Sequence, residues 1–181
     1  MNTPALPRAA RRGLTAIECL IACAVTATAI GTVAPGFGRM IEKRHLEGAA
    51  AQLETDIHLA RSLAVSMNAP LRLRVQQDSG GSCYVIYRGT ADECSCGSSG
   101  APVCATPDAL LRSVPMAHAG GVQAQANVSS MLFSPTHGTV TPAGTLKITG
   151  REGRTLHLVV NMMGRTRACS PGGQVEGYPA C

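Results

Sequence analysis

The hydrophobic pattern of the chain changes period twice. The first stretch, Leu14–Phe37, reads LTAIECLIACAVTATAIGTVAPGF and is apolar on all sides, with Glu18 its one acidic or basic residue. A helix over Leu14–Ala34 would be about 30 Å long, enough to cross a bilayer. From Arg39 to Asn68 the apolar residues instead recur at Leu46, Ala50, Leu53, Ile57, Ala60, Ala64 and Met67, in steps of four and three. That spacing lines one face of an amphipathic helix, with Glu47, Gln52, Glu54, Asp56 and Arg61 on the other faces. Alanine is a weak coiled-coil knob, so the stripe is expected to pack on a sheet. Asn68-Ala69-Pro70 should stop the helix.

After Pro70 the pattern becomes alternation. Leu71, Leu73 and Val75 alternate with Arg72, Arg74 and Gln76, and Cys83–Arg88 reads as a second strand after the turn Gln77–Ser82. Further strands are expected at Leu110–Val114, Val122–Val128, Met131–Ser134, Thr145–Thr149 and Thr155–Asn161, separated by Gly- and Pro-rich turns. A long helix followed by about six or seven strands implies an α+β fold with one antiparallel sheet. The 181 residues show no repeat and no second globular domain.

Before the apolar run lies a leader, Met1–Gly13, with Arg8, Arg11 and Arg12 and no acid. An ordinary secretory signal is cut after its apolar core. Here the recognisable site, Arg-Arg-Gly, precedes it, so cleavage between Gly13 and Leu14 would keep the helix and leave 13 basic against 11 acidic residues. A carboxylate within a membrane helix is costly. Either Glu18 lies at the interface and snorkels, or it has a partner. A new α-amine on Leu14, about one helical turn away, would be such a cation. Pro35, with Gly31, Gly36 and Gly38 nearby, marks either the end of the membrane helix or a place where it loosens. Basic residues flank the run on both sides, so charge leaves its orientation open. The six cysteines beyond it favour an oxidising compartment for the C-terminal part.

Arg12-Gly13-Leu14-Thr15-Ala16-Ile17-Glu18 resembles the processing signal of type IV pilins and pseudopilins, with the carboxylate fifth after the cut and Leu14 in place of the usual Phe. Leu59-Ala-Arg-Ser-Leu-Ala-Val65, the turn Phe133-Ser-Pro-Thr-His-Gly138 and Gly164-Arg-Thr-Arg167 are similar, in order, to the GspH/FimT family of minor pilins and pseudopilins. The resemblance implies a pilin fold, a long N-terminal helix, half transmembrane, on an antiparallel sheet. It implies a cleaved leader (1–13), a transmembrane helix (14–38) and a periplasmic domain (39–181). A prepilin peptidase would cut after Gly13 and methylate Leu14, and Glu18 and Pro35 would serve subunit assembly. The implied location is the inner membrane, single-pass, and then a pilus or pseudopilus. The implied partners are other pilin or pseudopilin subunits.

Beyond the membrane run lie Cys83, Cys94, Cys96, Cys104, Cys169 and Cys181. Cys169 and Cys181 close a Gly- and Pro-rich loop with no competitor nearby, a bridge worth about 3 kcal/mol in the chain-entropy model. The other four would form two bridges pinning the loop Gly89–Pro107, in pairings the sequence leaves open. Zinc is the rival reading, but Cys94-x-Cys96-x7-Cys104 lacks Cys-x2-Cys spacing and a nearby His, so no metal is expected. Cys19 and Cys23 fit as small packing residues in the apolar run.

Net charge is +5, too mild alone to imply nucleic acid, and aromatics are 3% with no Trp, which disfavours base stacking. The basic residues cluster late: Lys147, Arg151, Arg154, Arg165 and Arg167 against Glu152 and Glu176. Arg165 and Arg167 alternate on an extended segment and would point the same way, side by side. Guanidinium suits phosphate through bidentate hydrogen bonds. The plain alternative is a solvated strand edge or pairing with acids. FimT-type relatives use a Gly-Arg-x-Arg motif to bind DNA during uptake. Carried over, the motif is Gly164, Arg165 and Arg167, with Lys147, Arg151 and Arg154 auxiliary by charge. The partner would be double-stranded DNA, bound weakly and without sequence preference. The competing reading is a pseudopilin of a type II secretion system. No Gly-x-Ser-x-Gly, Walker loop or His-Glu-x-x-His occurs, and His45, His58, His118, His137 and His157 are scattered. No enzyme activity, cofactor or small-molecule substrate is expected.

Overall fold

The computed structural model describes residues 15–78, 81–97, 100–117 and 121–181. Gly13 and Leu14, where processing is expected, lie outside these residues, as do the side chains of residues 32–36, Pro35 among them. The chain divides into two compact units, Met1–Arg39 and Met40–Cys181. One helix, α1, spans Ala16–Ser66 and therefore does not end at Pro35.

In the first unit the helix opens on a capping box. The Thr15 N–H donates to Glu18 Oε2 (3.0 Å), and the Glu18 N–H donates to Thr15 Oγ1 (3.3 Å). Thr-x-x-Glu is the sequence signature of this device, a local use of Glu18 that sequence reasoning missed. Ile17, Leu20, Ile21, Val25 and Ile30 are all exposed. Among the described residues no helix is long and apolar enough to cross a membrane.

In the second unit the stripe is buried as its spacing requires, at Leu46, Ala50, Leu53, Ile57, Ala60 and Ala64. Met67, its expected last member, is 43% exposed, because α1 has already ended at Ser66. Asn68 turns left-handed (φ 47°), and the Ala69 N–H closes back on the Ala64 carbonyl at 3.1 Å. This is the C-terminal motif in which Asn can replace Gly.

The strands number eleven among the described residues and form more than the one sheet expected. Five make a sheet in the order β5-β2-β1-β7-β8: β1 (Leu71–Asp78), β2 (Gly81–Arg88), β5 (Leu110–Ala117), β7 (Met131–Phe133) and β8 (Val140–Thr141). Four make a second sheet in the order β11-β10-β9-β6: β6 (Val122–Ala126), β9 (Gly144–Gly150), β10 (Thr155–Val160) and β11 (Thr166–Cys169). All named pairings are antiparallel. The two sheets meet where β6 faces β1 and the start of β2, and side chains bridge there in place of a ladder. Gln77 Nε2 donates to Gln123 Oε1 (2.8 Å), Gln125 Nε2 donates to Gln77, and the Ala124 N–H donates to Ser82 Oγ (2.8 Å).

The inner faces close on α1. Leu71, Leu73, Tyr84, Ile86, Phe133, Leu146, Ile148, Leu156, Leu158 and Val160 join the helix stripe in one core. Each such aliphatic side chain contributes about 1.5–3 kcal/mol by burial. Asp56 departs from the sequence expectation. Assigned there to a polar face, it is 2% exposed inside the helix–sheet interface. Its Oδ2 accepts from Tyr84 Oη (2.5 Å) and from Arg112 Nε (2.7 Å). Burial first, and then the Asp56 carboxylate, push the Tyr84 phenol well above its ordinary pKa, so it stays a donor.

A short hairpin, β3 (Cys94–Cys96) with β4 (Pro102–Cys104), covers the other face of β2. Val85 and Tyr87 form a second small core there with Cys83, Cys94 and Ala109. Disulfides join Cys83 to Cys96, Cys94 to Cys104 and Cys169 to Cys181. All six cysteines expected to bridge do so, and Cys19 and Cys23 are free.

Candidate nucleic-acid interface

Residues Asn161–Arg165 make the turn between β10 and β11, and hydrogen bonds fix its shape. The Asn161 N–H donates to the Arg165 carbonyl (3.1 Å), the Gly164 N–H to the Asn161 carbonyl (2.9 Å), and the Arg165 N–H to Asn161 Oδ1 (2.9 Å). Gly164 sits at φ 73°, in the left-handed region. A β-carbon there would lie 2.9 Å from Arg61 Cδ and 3.1 Å from the Gly138 carbonyl oxygen. Arg61 in turn donates from Nε to that same oxygen at 2.8 Å. The three segments quoted for the family resemblance thus converge on one side chain. Arg61 on α1 holds the Phe133–Gly138 turn and lies against Gly164. Sequence reasoning placed Arg61 on a polar helix face and missed this contact, although the Ala-Arg stretch was its visible trace.

Beyond the turn, Arg165 and Arg167 are both exposed, and Arg167 faces Val159 across the ladder. Among the described residues neither guanidinium has an ion-pair partner. Lys147 is also exposed, on β9 opposite His157. These three cations can each accept a phosphate without first breaking an internal bond.

The remaining two auxiliary candidates are placed differently. Arg154 is committed to the helix: its Nη2 reaches Glu42 Oε2 at 2.5 Å and Glu152 Oε2 at 3.1 Å. Glu42 is 10% exposed and also accepts the Glu152 N–H at 2.9 Å. Desolvation raises its pKa, but that N–H and the Arg154 charge outweigh it, and the carboxyl titrates below its ordinary range. The pairing removes Arg154 from the set of available cations. Arg151 lies over Gly121, where a β-carbon would come within 2.6 Å of its Nε. With Gln123, Thr149 and Gly150 these two residues line a cleft of about 290 Å³. The structure therefore brings Arg167 and Lys147 onto one sheet, with Arg165 in the turn that leads into β11, and leaves Arg151 and Arg154 at the β9–β10 turn.

Comparison with known proteins follows the same geometry. No curated protein sequence matches the chain. Its fold is similar to that of the type IV minor pilin FimU of Pseudomonas aeruginosa, at 23% identity over 72% of this chain and 95% of that one, with a TM-score of 0.52. It is also similar to the minor pseudopilin EpsH from the Type 2 Secretion System of Vibrio cholerae, at 16% identity over 71% of this chain and 98% of that one, with a TM-score of 0.50. The α+β architecture is thus that of the pilin fold. The family model described as Type II transport protein GspH matches residues 49–164, which contain Arg61, the Phe133–Gly138 turn and Gly164 and stop just short of Arg165. By that match the chain belongs to the GspH family of pilin-like proteins.

Proposed function

We propose that this GspH-family chain is a minor type IV pilin that enters or primes a pilus and holds double-stranded DNA through Arg165 and Arg167 for uptake. The supporting observation is the pair of exposed guanidinium groups at the sheet edge, Arg167 on β11 and Arg165 in the turn just before it, with no acid in the strand. Phosphate contact alone gives weak, salt-sensitive binding without sequence preference, and the 3% aromatic content supplies no stacking platform. In a gel-shift titration of Met40–Cys181, Arg165→Gln with Arg167→Gln should weaken binding and lower the log–log salt slope by about two, with unchanged circular dichroism. Equal DNA retention by the double variant would remove the DNA-capture reading.

The same proposal covers the anchor. Leu14–Phe37 would be the membrane helix, supported by its exposed Ile17, Leu20, Ile21 and Val25. Prepilin peptidase would cut after Gly13, the new amine on Leu14 would be methylated, and Glu18 would meet that amine within or between subunits. The Met40–Cys181 unit would then lie in the periplasm. N-terminal sequencing of protein from envelopes should begin at Leu14; a start at Met1, or well beyond Phe37, would overturn the anchor.

The second reading is a minor pseudopilin of a type II secretion system, acting without DNA. The description of the matching family model, Type II transport protein GspH, favours it. The DNA titration separates the two readings.

A further inference from the structure

None of the four strands β6, β9, β10 and β11 contains an aspartate or glutamate. Their register fixes what shares the outer face. Arg167 lies opposite Val159, and Val159 opposite Thr145. Two residues along, His157 lies between Cys169 and Lys147, and Lys147 is opposite Gln125. Paired residues point to the same face, and the alternate residues Leu146, Ile148, Leu156 and Leu158 fill the core on the other. Arg167, His157 and Lys147 therefore all project outward. Arg167 and Lys147 are two strands and two residues apart, about 12 Å by strand geometry. Lys147 and Gln125 are exposed and His157 is half-buried. The cationic stripe starts at Arg165 and crosses the sheet diagonally, and the strands it crosses carry no aspartate or glutamate.

We infer that duplex DNA lies diagonally across this outer face, from Arg165 in the β10–β11 turn and Arg167 on β11 to Lys147 on β9, with Lys147 as a third phosphate anchor. The inference rests on the DNA-capture reading above and specifies the surface that performs it. A strand face with no aspartate or glutamate of its own lets a phosphate backbone approach without like-charge repulsion from the strands. The second N–H of the Gln125 amide, whose first goes to Gln77, and the His157 imidazole can add hydrogen bonds to phosphate oxygens. Base edges are not read, so the contact stays indifferent to sequence.

The test is fluorescence anisotropy of a short labelled duplex with the detergent-solubilised full chain, over a series of salt concentrations. Lys147→Gln should weaken binding about eightfold near 0.1 M salt and lower the log–log slope by about one. Gln125→Glu, nearly isosteric and next to Lys147, should weaken it comparably. Arg88→Gln removes the same charge from an exposed position on β2, in the other sheet, and should leave affinity within twofold. Thermal unfolding verifies that each variant is folded. Wild-type affinity and slope in both Lys147→Gln and Gln125→Glu would overturn the inference while leaving the arginine pair standing. So would a loss in Arg88→Gln equal to that in Lys147→Gln, since net charge alone would then explain it. Absence of wild-type binding, or undiminished binding by the Arg165→Gln, Arg167→Gln variant, would remove the underlying reading as well.

Discussion

Asp56→Ala should lower the unfolding free energy of the Met40–Cys181 unit by about 2–4 kcal/mol, read as a shifted urea midpoint at constant slope. The carboxylate is 2% exposed and accepts two hydrogen bonds, from Tyr84 and Arg112. Removing it leaves the fully buried Tyr84 hydroxyl without its acceptor. The Arg112 side chain is 40% exposed and recovers part of its hydration, which keeps the cost below that of a wholly buried pair. Asp56→Asn retains an acceptor oxygen and should cost about half as much. Tyr84→Phe leaves the Asp56–Arg112 pair intact and should cost about 1 kcal/mol. An unchanged midpoint in Asp56→Ala would mean that the network positions the helix without stabilising it.

The second large effect is at Gly164. Gly164→Val should destabilise the same unit by about 2–4 kcal/mol, and Gly164→Ala by about 1–2. A β-branched residue is strained at φ 73°, and its β-carbon would come within 2.9 Å of Arg61 and 3.1 Å of the Gly138 carbonyl. Arg61 can swing away, but the Gly138 oxygen then loses its 2.8 Å donor, and the carbonyl itself cannot move without dragging its turn. The result separates two uses of the glycine. If Gly164 serves the fold, Gly164→Ala binds DNA normally under conditions where it remains folded. If it gives a phosphate room to approach, affinity falls while stability holds. The contacts with Arg61 and Gly138 favour the first outcome.

The amphipathic stretch of α1 was legible because six residues at helical spacing had to bury one face, and they do. The main strands were legible from alternation, to within a residue or two at most ends. What was hidden follows from the limits of periodicity. Asp56 lies at the edge of the apolar stripe, three residues after Leu53 and four before Ala60, where its charge alone assigns it to solvent, and its burial depends on Tyr84 and Arg112, which arrive from two strands. The three-residue strands β3 and β4 are too short to show a period. Their place was implied only by the cysteines, whose pairing is set by β2 lying beneath them. The division into two sheets leaves no mark in the sequence, because β1 and β6 alternate in the same way whether joined by a ladder or by glutamine side chains. Within the candidate interface, the outward alternation of Arg165 and Arg167 was visible. The loss of Arg154 to Glu42 was not, since the two are far apart in sequence and meet only when the β9–β10 turn folds onto the helix.

The outer strands of both sheets bear on how copies of this chain can crowd together. At one border β5 carries Pro115, which has no N–H to offer, and at another β8 is only two residues long. On the second sheet β11 ends in a bridged cysteine and carries a guanidinium, while β6 has the N–H of Ala124 already occupied by the Ser82 hydroxyl. Each border is thus too short, too charged or already satisfied to recruit a stranger's backbone. A fold of this kind tolerates high local concentration without zippering into cross-β aggregates, so any ordered stacking of copies has to proceed through side-chain surfaces.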